Sequence, residues 1–110
     1  MNWRVERLFP QCAALFILLF IPGAQARAEF EQADAELNKC YEALLTKLPD
    51  AEGKEKLKQR QRAWLVFRDA EAAFAADEAH GGSMAPTIRY EIMAELTQQR
   101  IKQLKARYTD

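Results

Sequence analysis

The chain has 110 residues, with 16 Lys plus Arg against 16 Asp plus Glu and a formal net charge of zero. A balanced chain lacks the concentrated basic surface that nucleic-acid binding requires. One His and two Cys cannot supply the converging ligands of an ordinary zinc site, and the length allows one domain.

Residues 1–7, MNWRVER, carry Arg4 and Arg7, and residues 8–22, LFPQCAALFILLFIP, are apolar and uncharged. Gly23, Ala24, Gln25, Ala26, Arg27 and Ala28 follow. A basic start, an apolar run and an A-x-A site predict an export signal over 1–26, cleaved after Ala26, with Ala28 the second choice. The alternative is an uncleaved anchor. The run is short for a spanning helix, which needs about 20 residues, and Pro10 and Pro22 bracket it. The expected product is a periplasmic or secreted domain, 27–110, with no stable membrane anchor. It holds 14 basic and 15 acidic residues, a net charge near −1.

Cys12 leaves with the signal, so Cys40 has no partner for an internal disulfide. A free Cys is usually a small buried hydrophobe. A Cys40-linked dimer is the alternative to the expected monomer.

Three segments show helical periodicity. In the first, from about Glu29 to Lys47, Phe30, Ala33, Leu37, Cys40, Tyr41, Leu44 and Leu48 form one stripe. The second follows Pro49 and Asp50, a suitable N-cap, and runs to about Ala76. Its predicted stripe is Leu57, Arg60, Trp64, Phe67, Arg68, Glu71, Phe74 and Ala75. At roughly 25 residues and 1.5 Å each, it is the expected backbone of the fold. The third opens at GGSMAP with Ser83 as a cap and Pro86 in the first turn. It continues to about Tyr108 with Ile88, Ile92, Met93, Leu96, Arg100 and Leu104 inward. The short joint LPDAEG predicts that the first two helices are antiparallel neighbours. The fold class is all-α, a small antiparallel three-helix domain.

No nucleophile elbow, phosphate-binding glycine loop or paired-carboxylate cleft is evident, so neither an enzyme nor a cofactor is expected. Arg68, Glu71 and Arg100 all fall on predicted inner faces. They suggest a buried network with Trp64, Phe67 and Thr97 in which Glu71 is shared between the two arginines. The plainer reading is an exposed i,i+3 pair worth a few tenths of a kcal/mol. The loop DEAHGGSMAP offers Asp77, Glu78, His80, Gly81, Gly82 and Ser83 as contact residues, although a His beside two glycines is more often simply solvated.

The stretches DAELNKCYEALLTKLP, QRAWLVFRDAEAAF, GGSMAP and AELTQQRIKQL, in this order, resemble the LprI-like lysozyme-inhibitor family from about Phe30 to Leu104. By that resemblance Trp64, Phe67, Arg68, Asp69 and Glu71 match the family's central helix. Gly81, Gly82, Ser83, Met84 and Pro86 match its loop, and Thr97 and Arg100 its last helix. The resemblance implies a secreted or periplasmic helical protein whose partner is lysozyme. It also implies a disulfide between helices two and three at positions that here hold Ala72 and Ile92. A protein-interaction module of the cell envelope without lysozyme inhibition is the competing reading.

Overall fold

The computed structural model describes residues 22–78 and 82–108. The chain folds into three packed helices: α1, Pro22–Lys47; α2, Ala51–Glu78; and α3, Ala85–Tyr108. Residues 1–21, the basic and apolar parts of the expected signal, lie outside the described residues. Helix α1 starts earlier than its hydrophobic stripe, at Pro22, a residue well suited to a first helical turn. Two i,i+4 contacts follow, Gln25 to Glu29 at 3.1 Å and Arg27 to Glu31 at 2.9 Å. Its last turn closes with Leu48 N donating to Leu44 O at 3.2 Å, and Pro49 then bars continuation.

Asp50 starts α2 as expected. Its side-chain Oδ1 accepts from Gly53 N at 2.6 Å and its carbonyl from Lys54 N at 3.2 Å. The start of α3 differs from expectation. Ala85 N donates to Gly82 O, and Ile88 N donates to Met84 O at 2.9 Å. Met84, not Ser83, therefore stands at the cap position, and Ser83 is an exposed turn residue.

Side-chain contacts give the directions. Near the start of α1, a Cβ added to Gly23 would lie 3.6 Å from Thr87 Oγ1 at the start of α3. Phe30 and Tyr90 have ring centroids 6.0 Å apart. Further along, Glu36 meets Lys105 at 3.5 Å. Helices α1 and α3 are thus parallel. Helix α2 runs against both, linking Arg68 to Asp34 and Thr97, and Gln61 to Arg100. The first two helices are antiparallel, as predicted.

Their closeness is not as predicted. Helix α3 packs against both others, whereas the α1 and α2 backbones scarcely approach. The helix at the centre of the fold is therefore α3, although α2 is longer. Small residues explain this. Ala26 and Ala33 of α1 and Thr87, Ala94 and Thr97 of α3 are buried, and short side chains let helix axes come together. The larger apolar cluster lies toward the other end: Leu37, Leu44, Leu57, Ile101 and Leu104, flanked by Cys40, Tyr41, Leu45, Leu48 and Trp64.

The stripes of α1 and α3 lie inward as read from the sequence, but that of α2 is rotated. Its buried residues are Leu57, Gln61, Arg68, Ala72 and Ala76. Arg60, Phe67, Glu71 and Phe74, all assigned to the inner face, are exposed. The aromatic rings misdirect a count based on hydrophobicity, because the close-packed side of this helix is built from alanines and long polar side chains.

Candidate functional site

Two arrangements could carry function: a charged group in the interior and the end of the domain formed by the α2–α3 loop. In the interior, Arg68 is buried and touches all three helices. Its Nη1 donates to Asp34 Oδ1 on α1 at 3.1 Å and to Thr97 Oγ1 on α3 at 3.4 Å. Its Nε donates to Asp69 Oδ1 on its own helix at 3.0 Å. Its guanidinium also lies 5.0 Å from the Phe30 ring centre and 5.4 Å from that of Trp64. Arg100 approaches the same indole at 5.6 Å, with its Nε donating to Gln61 Oε1 at 3.0 Å. Both arginines thus have a cation–π contact with Trp64, a type worth roughly 0.5–2 kcal/mol depending on desolvation.

Of the predicted network, the structure brings together Trp64, Arg68, Thr97 and Arg100. Glu71 and Phe67 are corrected: both are exposed on α2. Arg68 pairs with Asp34 and Asp69 instead of Glu71. Residue 71 lies about 100° around the helix from the buried position 72, which turns its carboxylate outward. Asp34 was missed by the sequence reading. It falls between the apolar positions 33 and 37 of α1 and looks like an ordinary polar-face residue. Gln61 was missed too, hidden in the run KQRQR.

The polar contacts of this interior group are made within the domain. Among the described residues no buried side-chain polar atom lacks a hydrogen-bond partner, and no group of His, Cys, Asp and Glu could hold a metal. Arg68 and Arg100 serve as spacers that hold helices together through directional contacts.

The loop end is different. Asp77, Glu78, Gly82, Ser83 and Met84 are all exposed. His80 and Gly81 lie outside the described residues. Asp77 and Glu78 occupy the last turn of α2, which has no basic residue. Helix ends of this polarity favour cations, so the two acids do not serve helix stability. Beside them lies the parallel start of α1 and α3, where Gly23 faces Thr87.

Cys40 is a free thiol, half-buried against the apolar cluster. Near it, burial pushes the Tyr41 phenol above its ordinary range, Glu42 adds to the rise and Arg62 opposes it. On the exposed side of α1, the hydrogen bond to Glu31 holds the Arg27 guanidinium above its ordinary value.

Three helices packed around a pinned interior define a small all-α domain with an exposed acidic loop end. The chain belongs to the LprI lysozyme-inhibitor family, whose model matches residues 23–104. It is also similar to an uncharacterized protein of Rhizobium meliloti (strain 1021), 36% identical over 92 residues. That match covers 73% of this chain and 66% of the relative, just under two thirds of its length. No solved structure matches significantly.

Proposed function

We propose that this protein is an exported lysozyme inhibitor that binds through the α2–α3 loop and occludes the lysozyme cleft. Family membership supports the activity. The observation that selects the surface is the exposed pair Asp77 and Glu78 at a helix end that disfavours acids. Binding residues gather on loops held by a rigid scaffold, and the Arg68 pin supplies the rigidity. Lysozymes of the common animal type are strongly basic, so an acidic end would steer the encounter and orient it. Gly82 and Ser83, both exposed, would form the tip that enters the cleft.

The test is lysis of bacterial cell walls by lysozyme, followed by turbidity, with increasing amounts of the purified protein. Inhibition is expected, weakened by Asp77→Lys and Glu78→Lys together and by added salt. Full lysis at large molar excess would overturn the reading and leave a protein-interaction module of the cell envelope in its place.

A further inference from the structure

Opposite its buried side, helix α2 has a second, exposed side that is apolar. One side carries the buried Leu57, Gln61, Arg68, Ala72 and Ala76. Directly opposite, at positions spaced 3, 4 and 7 apart, are Ala63, Val66, Phe67, Ala70 and Phe74, all exposed. Val66 is 70% exposed, Phe67 50% and Phe74 61%. Isolated exposed apolar residues need no explanation, but a helical stripe with two phenylalanines seven residues apart is a seam awaiting a partner.

The charges of the same helix indicate the partner. Lys54, Lys56, Lys58, Arg60 and Arg62 fall in its first half, joined by Glu52 and Glu55. Asp69, Glu71, Asp77 and Glu78 fall in its second half, where Arg68 is turned inward. The helix is therefore basic toward its start and acidic toward its end, the reverse of what its own dipole favours. Exposed pairs within the helix, Lys56 with Glu52 and Arg62 with Glu55, offset part of the basic half, and a second copy of α2 laid antiparallel against the first sets the basic half of each against the acidic half of the other. With the two-fold axis beside Ala70, Phe67 of one copy lies within one residue of the level of Phe74 of the other, on the same side of the seam, and this occurs twice. Arg62 then comes within one residue of the level of Asp77, and Arg60 within two of that of Glu78, offsets of about 1.5 and 3 Å that long side chains span. Ala63 and Ala70 at the centre of the stripe allow close approach of the backbones.

We propose that two copies of the protein associate through this face as a symmetric antiparallel α2–α2 dimer. An isologous patch that is self-complementary in shape and charge is what two-fold symmetry demands. On the scale of 150–250 Å² per aromatic side chain, the two rings expose about 200 Å² per copy. With Val66, the alanines and the stems of the flanking charged residues, the pair buries roughly 1,000 Å² in total, the lower bound for a specific interface and a mark of reversible association. This dimer does not use Cys40 and does not require lysozyme inhibition, but it draws on the same Asp77 and Glu78, so dimer and lysozyme would compete for that end of α2.

The test uses the full chain expressed in an exporting bacterial host, purified in the form that the host yields and kept under reducing conditions. Sedimentation equilibrium across the micromolar range should give a mass that rises from one protomer to two. Phe67→Glu and Phe74→Glu should each hold the mass at one protomer, with the helical signal unchanged and the melting temperature equal to that of the dilute, single-protomer wild type. If either variant loses helical signal, the corresponding Ser substitution takes its place. Arg62→Glu should weaken association by about tenfold, and Asp77→Arg added to it should restore most of the loss, as expected for a charge pair read in a double-mutant cycle. A single-protomer mass at the highest concentration overturns the proposal. So does a dimer that survives loss of both phenylalanines, or one that forms only when the reductant is left out.

Discussion

Arg68 Nη1 on α2 donates to Asp34 Oδ1 on α1 across 3.1 Å, joining two helices whose backbones scarcely meet. The same nitrogen reaches Thr97 on α3, so one guanidinium fixes the positions of all three helices. Its side chain is only 9% exposed, against 36% for Asp34 and 59% for Asp69. The cation is therefore desolvated while its counter-charges remain partly hydrated. Deleting the cation removes the contacts to two rings and three oxygens together.

Arg68→Ala is accordingly expected to destabilise the fold by about 3 kcal/mol, the lower end of the cost of breaking a buried pair. Glu71→Ala should change stability by no more than about 0.5 kcal/mol, as for surface positions without special contacts. Thermal melts of the two variants side by side provide the check. A large loss in Glu71→Ala would mean that its carboxylate reaches the interior after all.

Thr97 is fully buried and its hydroxyl accepts from Arg68. Thr97→Val keeps the shape but removes the acceptor. A loss of about 1–2 kcal/mol is expected, between a net hydrogen bond and the desolvation of a charged donor. Urea unfolding with an unchanged m-value would show that the effect is confined to the native state.

The register set by Gln61 with Arg100 and Arg68 with Thr97 brings residue 72 level with residue 92 on the antiparallel helices. Ala72 is wholly buried and Ile92 half-buried. Ala72→Cys together with Ile92→Cys is expected to form a disulfide on oxidation and to raise stability by about 3 kcal/mol for a loop of this length. Mass spectrometry and a melt with and without reductant decide it. Free thiols under oxidising conditions would count against this register.

Burial raises the Tyr41 phenol, so the folded state holds that proton to higher pH than the unfolded chain. The stability this confers is complete below the ordinary phenol value of about 10 and is lost as pH rises through the folded value. The wild type should lose stability more steeply than Tyr41→Phe above that point. Melting temperatures of the two proteins, compared across the alkaline range, read the difference directly.

Much of this architecture was legible before the coordinates. Helices α1 and α3 have their large apolar residues on the buried side, so periodicity found both faces. Asp50 announced the start of α2 because a short acidic side chain ahead of a helical run has a local use. Helix α2 was harder, since its exposed face carries Phe67 and Phe74 while its buried face carries Gln61, Arg68 and alanines. Hydrophobicity cannot distinguish a core face from a second apolar face on the same helix. Asp34 was invisible for another reason. It acquires its role only from Arg68, 34 residues further along the chain, and nothing near it in sequence marks the pairing.

Because α1 and α3 run parallel, with Gly23 against Thr87, the chain enters the domain at the same pole where the α2–α3 loop turns. The opposite pole holds the α1–α2 joint and the last turn of α3. The cut expected after Ala26 falls inside α1, so it would take Gly23 and the buried Ala26 away from this pole and bare the start of α3 beside Thr87.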